Sequence, residues 1–355
     1  MTIAVTGLNA NDNPGPGVAV IRCLRDAFGQ DLRIIGLSYE SLEPGIYLPE
    51  MVDKTYQIPY PTAGIAALKD RFQYIHGLEE IDLVIPNFDA ELYNFIKIAP
   101  WLDAIGIRTY LPTEAQLAAR DKMSLGEFGA KHGFNVPADH KLHTAADITK
   151  ATRELSYPMV IKGKYYEAFV NYTEDLAAKS FHHLSARWGL PVIAQQFIKG
   201  TEINIAGLAD GKGNAKSVIP MRKLYLTDKG KAWAGITIED PQLIDLAEKF
   251  AQVTKWKGGF EMEIMRDEEG KLFIMEINPR FPAWIYLTAG IGQNQPAALV
   301  KMAMGADVEP FTEYIVGKMF IRYSWDHLVD IADFQQYSAF GELSIAKAHL
   351  YNGKA

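Results

Sequence analysis

The sequence predicts an α/β protein whose N-terminal part is a Rossmann-like domain built on a parallel sheet. Short apolar or β-branched runs, which fit buried strands, alternate there with segments of helical apolar spacing. This strand–helix–strand alternation is typical of a parallel sheet covered by helices on both faces. The predicted strands are 2–6, 32–37 and 81–86, and the predicted helices are 18–28, 63–76 and 91–104.

The rest of the chain combines helices and strands in another order, which predicts subdomains of α+β type. A chain of 355 residues is also longer than one typical core, so several subdomains are expected. The predicted strands are 158–162, 192–197 and 202–208, the hairpin strands are 260–265 and 271–277, the helices are 113–131, 173–184, 241–255 and 296–304, and the tail from Gly317 is predicted to be rich in β-structure.

Composition excludes several classes of function. The net charge is −7 without a long basic run, which argues against nucleic acid as a partner. The single Cys23 excludes an internal disulfide and a multi-cysteine metal site. The sequence has no charged leader and no apolar run of the roughly 20 residues that span a bilayer. We therefore expect a soluble, cytoplasmic protein with no membrane partner.

The segment from Glu261 to Arg280 predicts an acidic hairpin with one apolar face. Alternate residues of a strand share a face, and we assume a turn with an even number of residues. The apolar face is then Phe260, Met262, Ile264, Phe273, Met275 and Ile277. The opposite face carries Glu261, Glu263, Glu276 and the amide of Asn278.

Carboxylates gathered in this way need a cation or strong donors to remain ionised. Mg²⁺ is a suitable cation, because it takes oxygen ligands and typically uses one or two carboxylates together with phosphate oxygens. Arg280 follows at once and could clamp a phosphate. The alternative is a solvated face, but the position of Glu276 between apolar Met275 and Ile277 does not favour it.

Two features upstream indicate a nucleotide. Lys162 ends an apolar strand, where it could meet a phosphate as a point charge or extend to solvent as a structural lysine. Around Gly200 a strand turns into a second strand, and such a hinge leaves backbone groups to pair with an adenine edge. A plain β-connection is the alternative there. Lys122 on its own looks like ordinary surface charge.

Taken together, these motifs resemble the ATP-grasp superfamily, in the branch of carbamoyl-phosphate synthetase domains and carboxylate–amine ligases. The resemblance spans nearly the whole chain, and its strength lies in the order of the motifs. They are Asp121-Lys122, Tyr157 to Lys162, Gln195 to Glu202, Glu263, and Glu276 to Arg280. It implies a Rossmann-like pre-ATP-grasp domain at 1–112, then a two-lobed ATP-grasp fold with a lid-side subdomain at 113–195 and a catalytic subdomain at 196–310, and a β-rich extension at 311–355.

The resemblance also implies roles for individual residues. Glu263 is preferred to Glu261 as a metal ligand for its spacing to Glu276, by a small margin. The implied phosphate contacts are Lys122 and Lys162, the adenine contacts are Gln195, Phe197 and Ile198, the ribose contact is Glu202, the ligands of Mg²⁺ (or Mn²⁺ in its place) are Glu263, Glu276 and Asn278, and the clamps on phosphate or acyl-phosphate are Arg280 and Arg222.

The implied reaction is ATP-dependent ligation of a small-molecule carboxylate to a small-molecule amine through an acyl-phosphate, with release of ADP and phosphate. A homodimer is left open. Loop 163–170 has a single glycine where relatives have a glycine-rich lid, so a nucleotide-binding scaffold with little turnover is an alternative. A nicotinamide oxidoreductase is a weaker one, since the loop from Gly7 to Gly17 lacks the G-x-G-x-x-G order.

Contacts to the substrates are the least determined part of the sequence. The candidates are Asn9, residues 11–13 and residues 87–89, whose Asn and Asp side chains are equally typical of turns. Trp284 stands where relatives often have a small residue. It could shape the acceptor pocket or simply pack.

Overall fold

The computed structural model of the chain describes residues 1–10, 14–121, 124–164, 167–227 and 230–344. The elements up to residue 104 are β1 (Thr2–Val5), α1 (Pro16–Phe28), β2 (Arg33–Ser38), β3 (Lys54–Gln57), α2 (Gly64–Glu79), β4 (Leu83–Ile85) and α3 (Asp89–Ala104). The next elements are α4 (Glu114–Ala119), α5 (Leu125–His132), β5 (Asp139–Leu142), α6 (Asp147–Leu155), β6 (Met159–Lys162), β7 (Ala168–Asn171), α7 (Glu174–Trp188) and β8 (Val192–Gln196). The last are β9 (Gly200–Asp210), β10 (Ala215–Leu226), β11 (Ala232–Thr237), α8 (Pro241–Thr254), β12 (Lys257–Asp267), β13 (Leu272–Asn278), α9 (Tyr286–Ala289), α10 (Gln295–Ala303), β14 (Met319–Ile321), α11 (Ile331–Phe340) and β15 (Glu342–Ser344). Among these helices, none has the length and apolar character needed to cross a membrane.

The chain divides into two compact units. Unit 1 comprises residues 1–116, 205–261 and 278–355, and unit 2 comprises residues 117–204 and 262–277. The acidic hairpin formed by β12 and β13 therefore contributes residues to both units. The finer division into four domains at 112, 195 and 310 remains a prediction.

The N-terminal sheet of unit 1 confirms the predicted parallel architecture. Its strand order is β15-β3-β2-β1-β4, with β1, β2, β3 and β4 parallel and β15 antiparallel to β3. Ile3 and Val5 pack in one core cluster with residues of α1, whereas Ala4 packs in another with residues of α2 and α3. Both faces of the sheet are buried in this way, as expected for a doubly wound fold.

Unit 2 contains an antiparallel sheet with the order β5-β8-β6-β7. Residues of α6 and α7 form a core with Met159 and Ile161 of β6 and with Val192 and Ala194 of β8. Because neighbouring residues of a strand alternate between the faces, Val160, Lys162, Ile193 and Gln195 belong to the face away from these helices.

The third sheet has the strand order β13-β12-β9-β10-β11-β14. The turn between β12 and β13 differs from the even turn assumed from sequence. The Asp267 N–H donates to the Lys271 carbonyl (3.0 Å), and the Gly270 N–H donates to the Asp267 carbonyl (3.1 Å). Residues 268–270 thus form an odd loop, and the φ of +85° at Gly270 explains why glycine closes it.

Two further expectations are corrected. The single helix predicted over 113–131 is two helices, α4 and α5, because Asp121 and Ser124 form turn hydrogen bonds that do not continue a helix. Lys122 lies outside the described residues. The tail is not rich in β-structure, since its described part contains α11 besides the short β14 and β15.

Candidate functional site

Unit 2 brings two of the predicted nucleotide contacts to one face of its sheet. Val160 pairs with Gln195, and Lys162 pairs with Ile193, across the antiparallel strands β6 and β8. Residues directly opposite each other in such a pair share a face, so Lys162 and Gln195 lie on the same side. Gln195 is 6% exposed, and its buried side-chain oxygen Oε1 has no donor among the described residues.

Asp139 belongs to the same face, and sequence reasoning missed it. It pairs with Gln195 across β5 and β8. Burial raises the pKa of the Asp139 carboxyl, and the charges of Lys141, His140 and Lys162 oppose this. The electrostatic effect of Lys162 indicates that this lysine and Asp139 face a common space. The only sequence signal was an acidic residue opening a short polar strand, which also fits a surface loop.

The predicted adenine hinge follows β8. Ile198 is buried, and Phe197 and Glu202 are half-buried. A Cβ atom added to Gly200 would lie 1.9 Å from the carbonyl oxygen of Arg266, so no larger residue fits where β9 begins beside the end of β12. The predicted strand–connection–strand order is observed, with the connection at 197–199 and Gly200 as the first residue of β9 rather than a turn residue.

Glu263 and Glu276, two of the predicted metal ligands, lie in unit 2 on the adjoining strands β12 and β13, and both are half-buried. The third, Asn278, belongs to unit 1. Within the described part of the chain, no group of three or more His, Cys, Asp or Glu could hold a metal ion. Two carboxylates nevertheless match the donor set of Mg²⁺, whose remaining ligands are usually phosphate and water oxygens.

Glu261 has three side-chain partners within unit 1. Its carboxylate accepts hydrogen bonds from the Trp284 indole N–H (2.9 Å), the Asn278 amide (3.2 Å) and the Arg280 guanidinium (3.4 Å). It is buried, as is Trp284, which also packs in the core. The three partners show that Trp284 orients Glu261 while it packs. The preference for Glu263 as a metal ligand stays a prediction.

Arg280 is held in a defined orientation by three acceptors. Besides Glu261, its guanidinium donates to Asp89 (3.0 Å) and to the Phe281 carbonyl (3.1 Å). Asp89 is the first residue of α3 and belongs to a segment in which sequence suggested substrate contacts. In this structure its carboxylate is a partner of Arg280. A separation of 191 residues explains why the pair could not be found from sequence.

Unit 1 contains two other cations, Lys223 and Arg322, that are less exposed than the predicted phosphate clamp Arg222. Arg222 is exposed, whereas Lys223 is half-buried and lies opposite Gly235, on the face that carries buried Met221. Burial lowers the pKa of the Arg322 guanidinium, and the charge of Glu261 opposes this. Of these cations, Arg322 is the one whose charge acts on Glu261. The role of Arg222 as a phosphate clamp stays a prediction.

The polar residues at the ends of β1 and β4 form a structural cluster. The Asn87 amide donates to the carbonyls of Thr6 (3.0 Å) and Ile85 (2.9 Å), tying the two strand ends together. Glu91 accepts from the backbone N–H groups of Asn87 (2.7 Å) and Phe88 (3.0 Å), which begins α3. The predicted contact Asn87 is thus a strand clamp. The candidate contacts at 11–13 lie outside the described residues.

The two described ends of the loop in the lid position, Gly163 and Glu167, are bonded to each other and to α7. The Gly163 N–H donates to the Glu167 carbonyl (3.0 Å), which closes the connection between β6 and β7. The Glu167 carboxylate then accepts from Arg187 (2.9 Å) and from the Trp188 indole (2.8 Å) of α7. The C-terminal end of the loop, at Glu167, is therefore bonded to α7, which packs on the same sheet.

Comparisons with known proteins agree with these features. A family model described as "ATP-grasp in the biosynthetic pathway with Ter operon" matches residues 190–320. D-alanine--D-alanine ligase B of Pseudomonas putida is 24% identical over 181 residues, which cover 46% of this chain and 55% of the ligase. The arginine-specific carbamoyl phosphate synthase large chain of Neurospora crassa is 24% identical over 83% of this chain and 28% of its own length. The chain thus spans about half the length of the first of these relatives, and less of the second.

Among solved structures, the biotin carboxylase of Campylobacter jejuni in complex with β,γ-ATP superposes with a TM-score of 0.70 at 16% identity. The match covers 90% of this chain and 74% of the carboxylase, and shows a shared fold. The order of motifs, the family model over the hinge and acidic hairpin, and the shared fold all agree: the chain has an ATP-grasp fold, and residues 190–320 match an ATP-grasp family model.

Proposed function

We propose that this protein is a Mg²⁺- and ATP-dependent ligase that joins a small-molecule carboxylate to an amine. The observation that carries the proposal is that Lys162 shares a sheet face with Gln195, whose buried side-chain oxygen has no donor among the described residues. A buried acceptor without a donor is costly, and the exocyclic amino group of adenine would satisfy it. Lys162 lies two residues from Val160, the residue that pairs with Gln195. Its ammonium group would then contact the phosphates.

The remaining residues have separate tasks in this proposal. Phe197 and Ile198 would hold the adenine edge by their backbone, and Glu202 would bind ribose. Glu263 and Glu276 would supply carboxylate ligands to Mg²⁺, and Asn278 stays a ligand predicted from sequence alone. The metal ion, when bound, neutralises charge on the phosphates during transfer.

The proposed chemistry has two steps. The substrate carboxylate attacks the γ-phosphorus of ATP, and the bond from that phosphorus to the β,γ-bridging oxygen breaks. The products of this step are ADP and an acyl-phosphate. The amine then attacks the acyl carbon, loses a proton and expels phosphate to form an amide. Arg280 would stabilise the acyl-phosphate, since Glu261 and Asp89 hold its guanidinium in a fixed direction. No protein nucleophile is required, so positioning and charge compensation carry the reaction.

Nucleotide recognition can be tested by a base-specific comparison. Gln195→Leu removes the acceptor, and we expect about 10-fold weaker ATP binding, the cost of one buried hydrogen bond. Inosine triphosphate lacks the amino donor, so its affinity should change little in Gln195→Leu. Calorimetry should then show equal affinities of this variant for the two nucleotides. Gln196→Leu, at the neighbouring position on the other face, is the matched control. An unchanged preference for ATP in Gln195→Leu would contradict the assigned role.

Turnover requires its own assay. ADP and phosphate should appear only when both a carboxylate and an amine are supplied, and Lys162→Ala and Glu276→Ala should each lower the rate by at least about 100-fold. Lys150→Ala, an exposed lysine of α6, should leave the rate unchanged. Wild-type activity in either of the first two variants would remove them from the site.

The tethered loop supports a second candidate, a nucleotide-binding scaffold with little turnover. The observation that favours it is the anchoring of Glu167, at the C-terminal end of the loop, by Arg187 and Trp188. This candidate predicts ATP binding with the same dependence on Gln195, but no ADP with any substrate pair. The nicotinamide hypothesis loses its basis, because the fold and family matches are to ATP-grasp proteins.

A further inference from the structure

Three aromatic rings stand at the carboxyl ends of the parallel strands in unit 1. Tyr39 follows β2, Tyr60 follows β3 and Phe88 follows β4. The centroid of the Tyr39 ring lies 5.7 Å from that of Tyr60 and 5.9 Å from that of Phe88. Tyr60 is 50% exposed, so one end of this group of rings is open to solvent.

Three buried oxygen atoms lie beyond the same strand ends. They are Oδ1 of Asn9 after β1, Oε2 of Glu43 after β2 and Oδ1 of Asn87 after β4, and none has a hydrogen-bond partner among the described residues. Asn87 is completely buried, and Glu43 is 6% exposed. The Asn87 amide nitrogen donates back to two carbonyls at the strand ends, so its Oδ1 is directed away from them. Acceptors of this kind favour a ligand that donates hydrogen bonds.

Backbone contacts bring the three oxygen-bearing segments together. The N–H of Gly45, two residues after Glu43, donates to the Leu8 carbonyl in the loop after β1 (3.0 Å). A Cβ atom added to Gly7 would lie 3.0 Å from the Cβ atom of Asn87, so this loop also runs against the end of β4. We call the three rings and the three oxygens the strand-end cluster. It lies where β2 and β4 flank β1, at the switch point of the sheet, where such folds usually bind ligands.

The charge at the strand-end cluster is negative. Glu43 accepts from the backbone N–H groups of Tyr39 and Glu40, and its charge acts on Glu91 nearby. The donors to Glu91 are neutral hydroxyl and backbone N–H groups. None of the bonds described for these two carboxylates comes from Lys, Arg or His. Buried carboxylates without a cationic partner favour a positively charged ligand, and aromatic rings attract a cation to their faces.

The strand-end cluster adjoins the proposed acyl-phosphate clamp. Asp89 directly follows Phe88, and its carboxylate accepts from the Arg280 guanidinium (3.0 Å). All of these residues belong to unit 1. A small molecule held at the cluster would therefore lie beside the cation that is proposed to stabilise the acyl-phosphate.

We propose that the strand-end cluster binds an ammonium or guanidinium group of the amine substrate, and that a second nitrogen of that substrate attacks. This inference rests on the proposed ligase function. The N–H groups of the bound cation would satisfy the three oxygens, and the rings would face its charge. A protonated amine has no lone pair, so the attacking nitrogen must be a separate, uncharged one. The substrate class is thus a diamine or an amine that carries a guanidinium group.

Binding can be tested without turnover. Calorimetry of the full-length chain at about pH 8, above the pKa of about 7 to which burial raises Glu43, should detect 1,4-diaminobutane. It should not detect 1,4-butanediol, an uncharged chain of the same length. Glu43→Gln should weaken diamine binding by at least about 10-fold, because it removes a hydrogen bond to a charged group. Tyr60→Leu should weaken it by about 2- to 5-fold, the effect of an exposed cation–π contact.

Matched controls exist in the same unit. Glu50→Gln changes an exposed carboxylate, and Tyr74→Leu changes a 47% exposed tyrosine, so both should bind the diamine as the wild type does. Thermal melting of every variant separates lost binding from lost folding. Wild-type affinity in both Glu43→Gln and Tyr60→Leu would overturn the proposal, as would a wild type that does not bind the diamine. Equal affinity for tetramethylammonium, which has no N–H group, would overturn the role of the three oxygens.

Turnover separates this inference from the proposed function. If the diamine binds with the expected dependence on Glu43 but no carboxylate yields ADP, the ligase function is contradicted and the cation site is supported. If ADP forms with amines of a single nitrogen and not with diamines or guanidinium amines, the ligase function is supported and the proposed substrate class is overturned.

Discussion

Glu91 and Glu261 are both almost completely buried carboxyls of unit 1, but their partners differ in kind. The donors to Glu91 are neutral, whereas those to Glu261 include a guanidinium. Glu91 accepts from the Thr6 hydroxyl, the Tyr39 phenol and the backbone N–H groups of Asn87 and Phe88. Glu261 accepts from Trp284, Asn278 and Arg280.

The difference indicates two uses of a buried acid. Neutral donors drawn from two strand ends and a helix start make Glu91 a structural junction of the N-terminal sheet. The partners of Glu261 include Arg280, the cation that is proposed to stabilise the acyl-phosphate. We infer that Glu261 positions the site's cation and that Glu91 positions the fold.

The largest effect should come from breaking the structural junction. Glu91→Ala removes the acceptor of the Thr6 and Tyr39 hydroxyls and of the Phe88 N–H, at about 1–3 kcal/mol for each unsatisfied group, while the Asn87 N–H keeps the Thr6 hydroxyl as an acceptor. We expect a loss of roughly 4 kcal/mol or more in the free energy of unfolding, measured by urea denaturation. Glu50→Ala, at an exposed carboxylate of the same unit, should change it by less than about 0.5 kcal/mol. A small loss at Glu91 would mean that water replaces the carboxylate.

A second acid near this junction gives an intermediate effect that depends on pH. Burial raises the pKa of Glu43 from 4.5 to about 7, although its Oε1 accepts from the Tyr39 and Glu40 N–H groups. Between these pH values the folded chain holds a proton that the unfolded chain has lost. The free energy of unfolding therefore falls by on the order of 3 kcal/mol as pH rises from about 4.5 to 7. Above pH 7 this group causes no further change.

Glu43→Gln removes this titration and keeps the acceptor oxygen. The difference in unfolding free energy between Glu43→Gln and wild type should then grow from pH 5 to 7 in favour of the variant. Denaturation at several pH values measures it, with Glu50→Gln as the control. A constant difference across this range would show that Glu43 titrates at its ordinary pKa when folded.

The contrast between the two acids also shows what sequence could and could not predict. Periodicity alone located β1, β2 and β4, because burial on a regular element leaves a regular pattern. The predicted apolar face of the hairpin was wrong in its second strand: the odd loop 268–270 shifts the strand pairing by one residue, and Ile274 is fully buried whereas Met275 is only half-buried. Periodicity missed β3, whose residues Lys54–Gln57 lack an apolar run and are defined by pairing with β2 and β15. It missed α11 for a related reason, since most of its side chains are exposed and leave no stripe.

At the site, sequence order was enough to find the acids but not to assign them. Glu261 and Glu263 are two residues apart and look alike in the sequence. They differ because Trp284 and Arg280, both distant along the chain, fold back to Glu261. The same holds for Asp139 beside Gln195 and for Asp89 beside Arg280, whose partners come from other elements. Long-range pairing of this kind leaves no local pattern to read.

The smallest effect should separate packing from hydrogen bonding at Glu261. Trp284→Phe keeps an aromatic ring in the core but removes the N–H that donates to Glu261, so we expect a loss of about 1–2 kcal/mol in unfolding free energy. Trp188 provides a matched control, because its indole donates to Glu167 at a similar distance near the surface, and Trp188→Phe should cost less than about 0.5 kcal/mol. Equal costs at the two positions would indicate that the ring, rather than the bond to a buried carboxylate, accounts for the stability. A larger cost at Trp284 that disappears in a Glu261→Gln background would show that the bond acts through the charge of Glu261, which is the distinction drawn between this acid and Glu91.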